Sequence, residues 1–217
     1  MGEAKRVARV GVDVDGVLAD FNAGYRRRLC EVTGRDLFPP GYYAPTEWHY
    51  PNKSLGYTAD EIGATWESIK ADRMFWLNLK PLPGAQALIT ALLNRPWQID
   101  VYFITARPGI KAKRQTERWL ANVWNYYDAH VTPTVLIASG SKGNIAEGLR
   151  LTHFIDDRPD NCEAVATCGI CVGTYLYTTS WNRDYDSNGI AIQRIDSLRT
   201  FTTHILEYVD GHESAAA

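Results

Sequence analysis

A β-branched apolar run that stops on two acids constrains this chain more than anything else in it. The stretch Val10-Gly11-Val12-Asp13-Val14-Asp15-Gly16-Val17-Leu18-Ala19-Asp20-Phe21 begins as a buried parallel strand does, then offers two carboxylates one residue apart and a glycine. Residues two apart on a strand face the same side, so Asp13 and Asp15 are directed into one cavity at the carboxyl edge of a sheet. Carboxylates so placed repel each other. A divalent cation that prefers oxygen, Mg²⁺ in particular, relieves the repulsion and also binds phosphate oxygens. Gly16 lets the chain turn without a side chain obstructing the pocket. An acidic strand end followed by an ordinary turn explains these residues equally well, so other parts of the chain must decide.

A second apolar strand, Ile99-Asp100-Val101-Tyr102-Phe103-Ile104, runs into Thr105-Ala106-Arg107-Pro108. A later loop carries Ser141-Lys142-Gly143, and a third strand, Thr152-His153-Phe154-Ile155, ends in Asp156-Asp157-Arg158-Pro159. Taken in order, these stretches and Asp13-Val14-Asp15-Gly16 resemble the four motifs of the haloacid dehalogenase superfamily of phosphohydrolases, over most of the chain. Within that superfamily, four strings look like the 5'(3')-deoxyribonucleotidase family: Asp15-Gly16-Val17-Leu18-Ala19-Asp20-Phe21, Trp66-Glu67-Ser68, Pro81-Leu82-Pro83-Gly84-Ala85 and Ile155-Asp156-Asp157-Arg158-Pro159-Asp160. The chain departs from that family at Thr105-Ala106, where Thr-Ser is usual, and at Glu47-Trp48-His49, in the aromatic base-binding segment.

The resemblance implies removal of phosphate from deoxynucleoside monophosphates through an aspartyl-phosphate. Asp13 is then the nucleophile, and Asp15 first protonates the leaving oxygen and later deprotonates water. Mg²⁺ is the expected cofactor, held by Asp13, the backbone carbonyl of Asp15 and Asp156, with Asp157 behind them in support. Thr105, the backbone N–H groups around Ala106, and Lys142 are expected on the phosphoryl oxygens. Arg107 is either a further phosphate contact or one half of an ion pair. Phe21 and Trp48 are the candidates for stacking on a nucleobase, with His49, Tyr42 and Tyr43 lining the same cleft.

Composition narrows the partners. In 217 residues there is room for one substantial core and a small accessory lobe. A formal net charge of -2 argues against tight non-specific binding to long nucleic acid and sits better with a mononucleotide. Met1 to Arg9 has no apolar run fit for a signal peptide or membrane span, so a cytoplasmic protein without a membrane partner is expected. Cys30, Cys162, Cys168 and Cys171 do not suggest a disulfide framework, and Cys168-Gly169-Ile170-Cys171 reads as packing at a helix end and strand start. Monomer and homodimer are both open.

Phe21 to Val32 reads as a helix with Arg26, Arg27 and Arg28 on a solvated face, one of them a lesser candidate for phosphate. Residues 35–57 are irregular. Thr58 with Glu61 forms a capping box before Ile62, Trp66 and Ile69. Pro83-Gly84 opens a helix that buries Leu88, Ile89, Leu92 and Leu93. Strands and helices then alternate through Ile99–Thr105, Ala112–Val123, Thr134–Ala138, Gly143–Leu149, His153–Asp156, Asp160–Thr167 and Ile170–Tyr175. The expected fold class is α/β: a Rossmann-like parallel sheet with helices on both faces. The core is expected over 1–20 and 83–210, and the resemblance implies a helical cap over 21–82; residues 211–217 are expected to fray. Two alternatives remain: a polynucleotide end phosphatase, which needs an open basic channel, and a nucleotide-binding module without catalysis.

Overall fold

The computed structural model describes residues 8–39, 55–125 and 133–216. Six parallel strands form one sheet in the order β3-β2-β1-β4-β5-β6: β1 Ala8–Val12, β2 Ile99–Thr105, β3 Thr134–Ile137, β4 His153–Asp156, β5 Gly173–Tyr177 and β6 Gln193–Ile195. Among the described residues the helices are α1 Phe21–Thr33, α2 Ala59–Ala71, α3 Ala85–Leu93, α4 Ala112–Trp124, α5 Lys142–Leu149, α6 Pro159–Ala166 and α7 Leu198–Ala216, with a 3₁₀ turn at Trp76–Asn78. The chain steps outward from β1 through β2 to β3, then returns to lay β4 on the other side of β1. That reversal opens a crevice at the carboxyl ends of β1 and β4, the place where open α/β sheets bind ligands.

Both sheet faces are covered. Val12, Phe103 and Ile155 pack with Leu88, Leu120 and Phe201 from α3, α4 and α7. Ile104 and Phe154 meet Ala146 of α5, Leu151 and Val165 of α6 on the other side. Each fully buried Leu, Ile or Phe contributes on the order of 2 kcal/mol, so these two layers carry most of the stability.

Local signals act as their chemistry requires. The Thr58 hydroxyl accepts from the Glu61 N–H at 3.2 Å and the Glu61 carboxylate accepts from the Thr58 N–H at 2.8 Å, which closes the capping box that starts α2. Leu88, Ile89, Leu92 and Leu93 are all buried on α3. Arg26, Arg27 and Arg28 pair with Asp36, Glu31 and, for Arg28, also Asp72, and Arg28 is largely covered; they form ion pairs, not a phosphate site.

Two boundaries differ from expectation. The strand expected from Ile170 begins at Gly173, because Val172 is 62% exposed and the N–H groups of Val172 and Gly173 both turn to the Thr152 carbonyl before the ladder with β4 opens. The tail expected to fray from residue 211 continues α7 as far as Ala216. No described helix is long and apolar enough to cross a membrane.

Candidate active site

Asp13 follows β1 directly, and its N–H donates to the Ile155 carbonyl of β4 at 3.0 Å. Val12 and Ile155 are register partners, so Asp13 and Asp156 leave the sheet side by side although 143 residues separate them. Lys142, on the first turn of α5, reaches between them: its ammonium donates to Asp13 Oδ1 at 2.5 Å and to Asp156 Oδ2 at 2.7 Å. All three are buried.

The neighbouring carboxylates differ in what they touch. Asp156 also accepts from the Arg158 N–H at 2.9 Å and from Asn161 Nδ2 at 3.1 Å, so both its oxygens are occupied. Asp157 is fully buried, and neither of its carboxylate oxygens has a hydrogen-bond partner among the described residues. Its backbone is held instead: Asn182 Nδ2 donates to the Asp157 carbonyl and to that of Tyr177, each at 2.8 Å. Gly16 turns past this carboxylate at φ 84°, where a Cβ would lie 2.2 Å from Asp157 Oδ2, so only glycine fits.

Asp15 stands apart from that group. Arg107 grips its carboxylate, with Nε at 2.9 Å from Oδ2 and Nη2 at 2.8 Å from Oδ1, and the Thr105 hydroxyl donates to Oδ2 at 3.2 Å. Of the two roles open to Arg107, the ion pair is the one formed.

Burial drives the titration of the group. Desolvation lifts the Asp13 carboxyl to about 7, against the pull of Lys142 and with the added push of Asp156 and Asp15. Burial, then the charges of Asp156 and Asp13, push Asp157 well above the usual carboxylate range. Lys142 moves the other way from what its burial alone would cause, because the Asp13 and Asp156 carboxylates raise it. Ionised together, the three acids would carry more negative charge than one ammonium balances, and without a cation Asp13 and Asp157 are held toward the neutral form.

That imbalance is the test of a cation. Ligand oxygens of Asp13, Asp156 and Asp157 all lie within 4.8 Å of one another. Hard carboxylate oxygens, two of them orphaned and buried, form a donor set that suits Mg²⁺.

A cavity of about 600 Å³ opens over these groups. Asp13, Asp15, Thr105, Ala106, Arg107 and Lys142 line its floor, with Phe21, Trp66 and Trp76 from the helices inserted between β1 and α3 on another side. Phe21 already packs nearly parallel to Trp66 and Trp76, with centroids 5.8 and 5.7 Å away. Trp48 and His49, with Tyr42 and Tyr43, lie outside the described residues. Trp76 and Asn182 belong to the site and carry no linear signal. Asn161 did carry one, as a side chain in the first turn of a helix five residues past Asp156.

No family model matches the chain. It is 28% identical over 170 residues to the mitochondrial 5'(3')-deoxyribonucleotidase of Mus musculus, an alignment covering 72% of this chain and 67% of that enzyme. The human mitochondrial counterpart is 28% identical, over 71% of this chain and 64% of its own length. The cytosolic-type enzyme of Homo sapiens is 34% identical over a shorter span, 42% of this chain and 44% of that one. Among solved structures, a haloacid dehalogenase-like family hydrolase from Xanthomonas campestris superposes with a TM-score of 0.57 at 12% identity, covering 95% of this chain and 98% of that one. A HAD-hydrolase from Bacillus subtilis, solved bound to magnesium, gives 0.56 at 17% identity over 93% and 99% of the two chains. The chain thus has the haloacid dehalogenase-like fold, and its sequence is similar to the 5'(3')-deoxyribonucleotidases.

Proposed function

We propose that the protein is a Mg²⁺-dependent phosphomonoesterase that hydrolyses nucleoside or deoxynucleoside monophosphates to nucleoside and phosphate. The observation that carries this reading is the gathering of Asp13, Asp15, Thr105 and Lys142 on the floor of one cavity, with Asp156 and Asp157 buried beside Asp13. Asp13, Asp157 and the backbone oxygen of Asp15 would hold the cation, with Asp156 shared between it and Lys142. When bound, Mg²⁺ supplies positive charge that offsets the phosphate and the buried carboxylates.

An Asp13 carboxylate oxygen attacks phosphorus, and the bond from phosphorus to the nucleoside oxygen breaks as Asp15 delivers a proton to that oxygen. Lys142 and the N–H groups near Ala106 face the phosphoryl oxygens and stabilise charge as it develops there. Asp15, now ionised, takes a proton from a water that opens the acyl-phosphate, which frees phosphate and restores Asp13. Residues 21–82 act as a cap, whose partly exposed Phe21 and Trp66 give the base an aromatic wall worth about 1–3 kcal/mol of stacking. A cytoplasmic setting goes with this reading.

The test is phosphate release, with Mg²⁺, from a panel of ribo- and deoxyribonucleoside monophosphates and from a 3'-phosphorylated oligonucleotide. Turnover of mononucleotides is expected, together with a loss of roughly 10³-fold or more in Asp13→Asn at unchanged fold. Release only from the oligonucleotide would replace this reading with an end phosphatase. No release from any ester would leave a binding module.

A further inference from the structure

Arg107 is 2% exposed although it borders the cavity. Its Nε and Nη2 edge is given to Asp15, and Nη1 donates to the Thr116 hydroxyl of α4 at 2.9 Å. The flat faces are covered as well: the guanidinium carbon lies 4.9 Å from the Trp76 ring centre and 5.8 Å from that of Trp119. A planar cation fixed on its edges and over aromatic rings cannot rotate without losing several contacts together.

The helix that anchors Arg107 also grips the inserted segment. Gln115 Oε1 accepts from the Trp76 N–H at 3.0 Å, Gln115 Nε2 donates to the Asp72 carbonyl at 2.9 Å, and Trp119 Nε1 donates to the Leu79 carbonyl at 2.7 Å. Residues 72–79, α4 and Asp15 therefore meet at one guanidinium.

We propose that Arg107 is a positioning residue that fixes the orientation of the Asp15 carboxylate and links it, through Trp76, to the seating of residues 72–79. This rests on the phosphomonoesterase reading, in which Asp15 must face the leaving oxygen. Arg107 acts through Asp15 and not on the phosphate, because the donors that would meet a phosphate already meet a carboxylate.

The experiment compares two esters on the same enzyme preparation, so that any unfolded fraction cancels. A deoxynucleoside monophosphate expels an alkoxide that needs a proton; p-nitrophenyl phosphate expels a phenolate that does not. Arg107→Lys keeps the charge and loses the fork, and Thr116→Val removes an anchor that lies off the cavity. The ratio of alkyl to aryl kcat/KM, which reports phosphoryl transfer and leaving-group departure but not the later hydrolysis that Asp15 also serves, is expected to fall at least about ten-fold in Arg107→Lys and about three-fold in Thr116→Val. Equal losses of kcat/KM on both esters would make Arg107 merely structural and overturn the inference. A rise in KM on both at constant kcat would make it a phosphate ligand, with the same result. Wild-type protein inactive on both esters would overturn the phosphomonoesterase reading, and this inference with it.

Discussion

Asp157 occupies a place that nothing among the described residues satisfies: a carboxylate with no exposure and no hydrogen bond, beside two other acids. Leaving a buried charged group unpartnered costs several kcal/mol unless it is protonated or meets a cation. Replacing it with the neutral isostere therefore has opposite effects in two conditions. Asp157→Asn should raise the melting temperature of the metal-free protein by about 2–6 °C and remove most of the further rise that Mg²⁺ gives the wild type, as read by thermal denaturation with and without the ion. Equal Mg²⁺ stabilisation in both proteins would remove Asp157 from the ligand set. At this scale the acids, Thr105 and Lys142 were legible because each ends a strand or opens a helix, where side chains gather at the sheet edge. Trp66 and Trp76 were not, because apolar residues that line a cavity look the same in sequence as those that fill a core. The availability of Asp157 over Asp156 was equally hidden: it depends on Asn161 and Lys142 reaching one carboxylate and missing the other.

Among the elements, α5 is held close against its neighbour α6. It presents Lys142 to the acids from its first turn, and Gly143, the next residue, lies so close to α6 that a Cβ there would sit 2.4 Å from the Ala164 carbonyl oxygen. The obstacle is backbone and cannot swing aside. Gly143→Ala should destabilise the fold by about 2–4 kcal/mol in urea denaturation, and it should lower phosphatase turnover more than Gly148→Ala, where a Cβ meets nothing within 4 Å. Similar behaviour of the two variants would mean that the helices can separate without loss. The Ser141-Lys142-Gly143 string was readable as a loop with a cation, but the need for glycine was not, since it arises from α6, reached later in the chain.

For the molecule as a whole, the alternation of strand and helix from Ile99 onward foretold a parallel sheet covered on both sides, and the six parallel strands have that form. Past Tyr175 the core is expected to continue to residue 210 but no element is assigned above, yet α7 buries Leu198, Phe201, Ile205 and Val209 at helical spacing, so that periodicity was available in the sequence. The three residues of β6, two of them exposed, offer no such pattern. α7 also bears on how the protein tolerates acid. His153, at the start of β4, is enclosed by Tyr175 of β5 and by Tyr208 and His204 of α7. Burial, then the charge of His204, lowers it to about 4 from an ordinary 6.5. Below pH 6.5 the unfolded chain binds a proton that the folded one refuses, so this site favours the fold above that pH and loses its contribution as pH falls toward 4. His153→Phe keeps the ring and removes the titration. Its stability relative to wild type should improve by up to roughly 3 kcal/mol between pH 7 and pH 4, measured by denaturant unfolding at each pH. A constant difference would show that His153 takes up its proton freely.

The placement of Lys142 has one more outcome. Lys142 is 3% exposed and its ammonium touches two carboxylates, so dissolved ions have no room to come between them. Pairs such as Arg27 with Glu31, open to solvent, weaken as the medium becomes more saline, whereas the arrangement at the sheet edge is insulated from it. The arrangement of Lys142 with Asp13 and Asp156 should therefore persist in brine that dissolves the contacts on the protein's exterior.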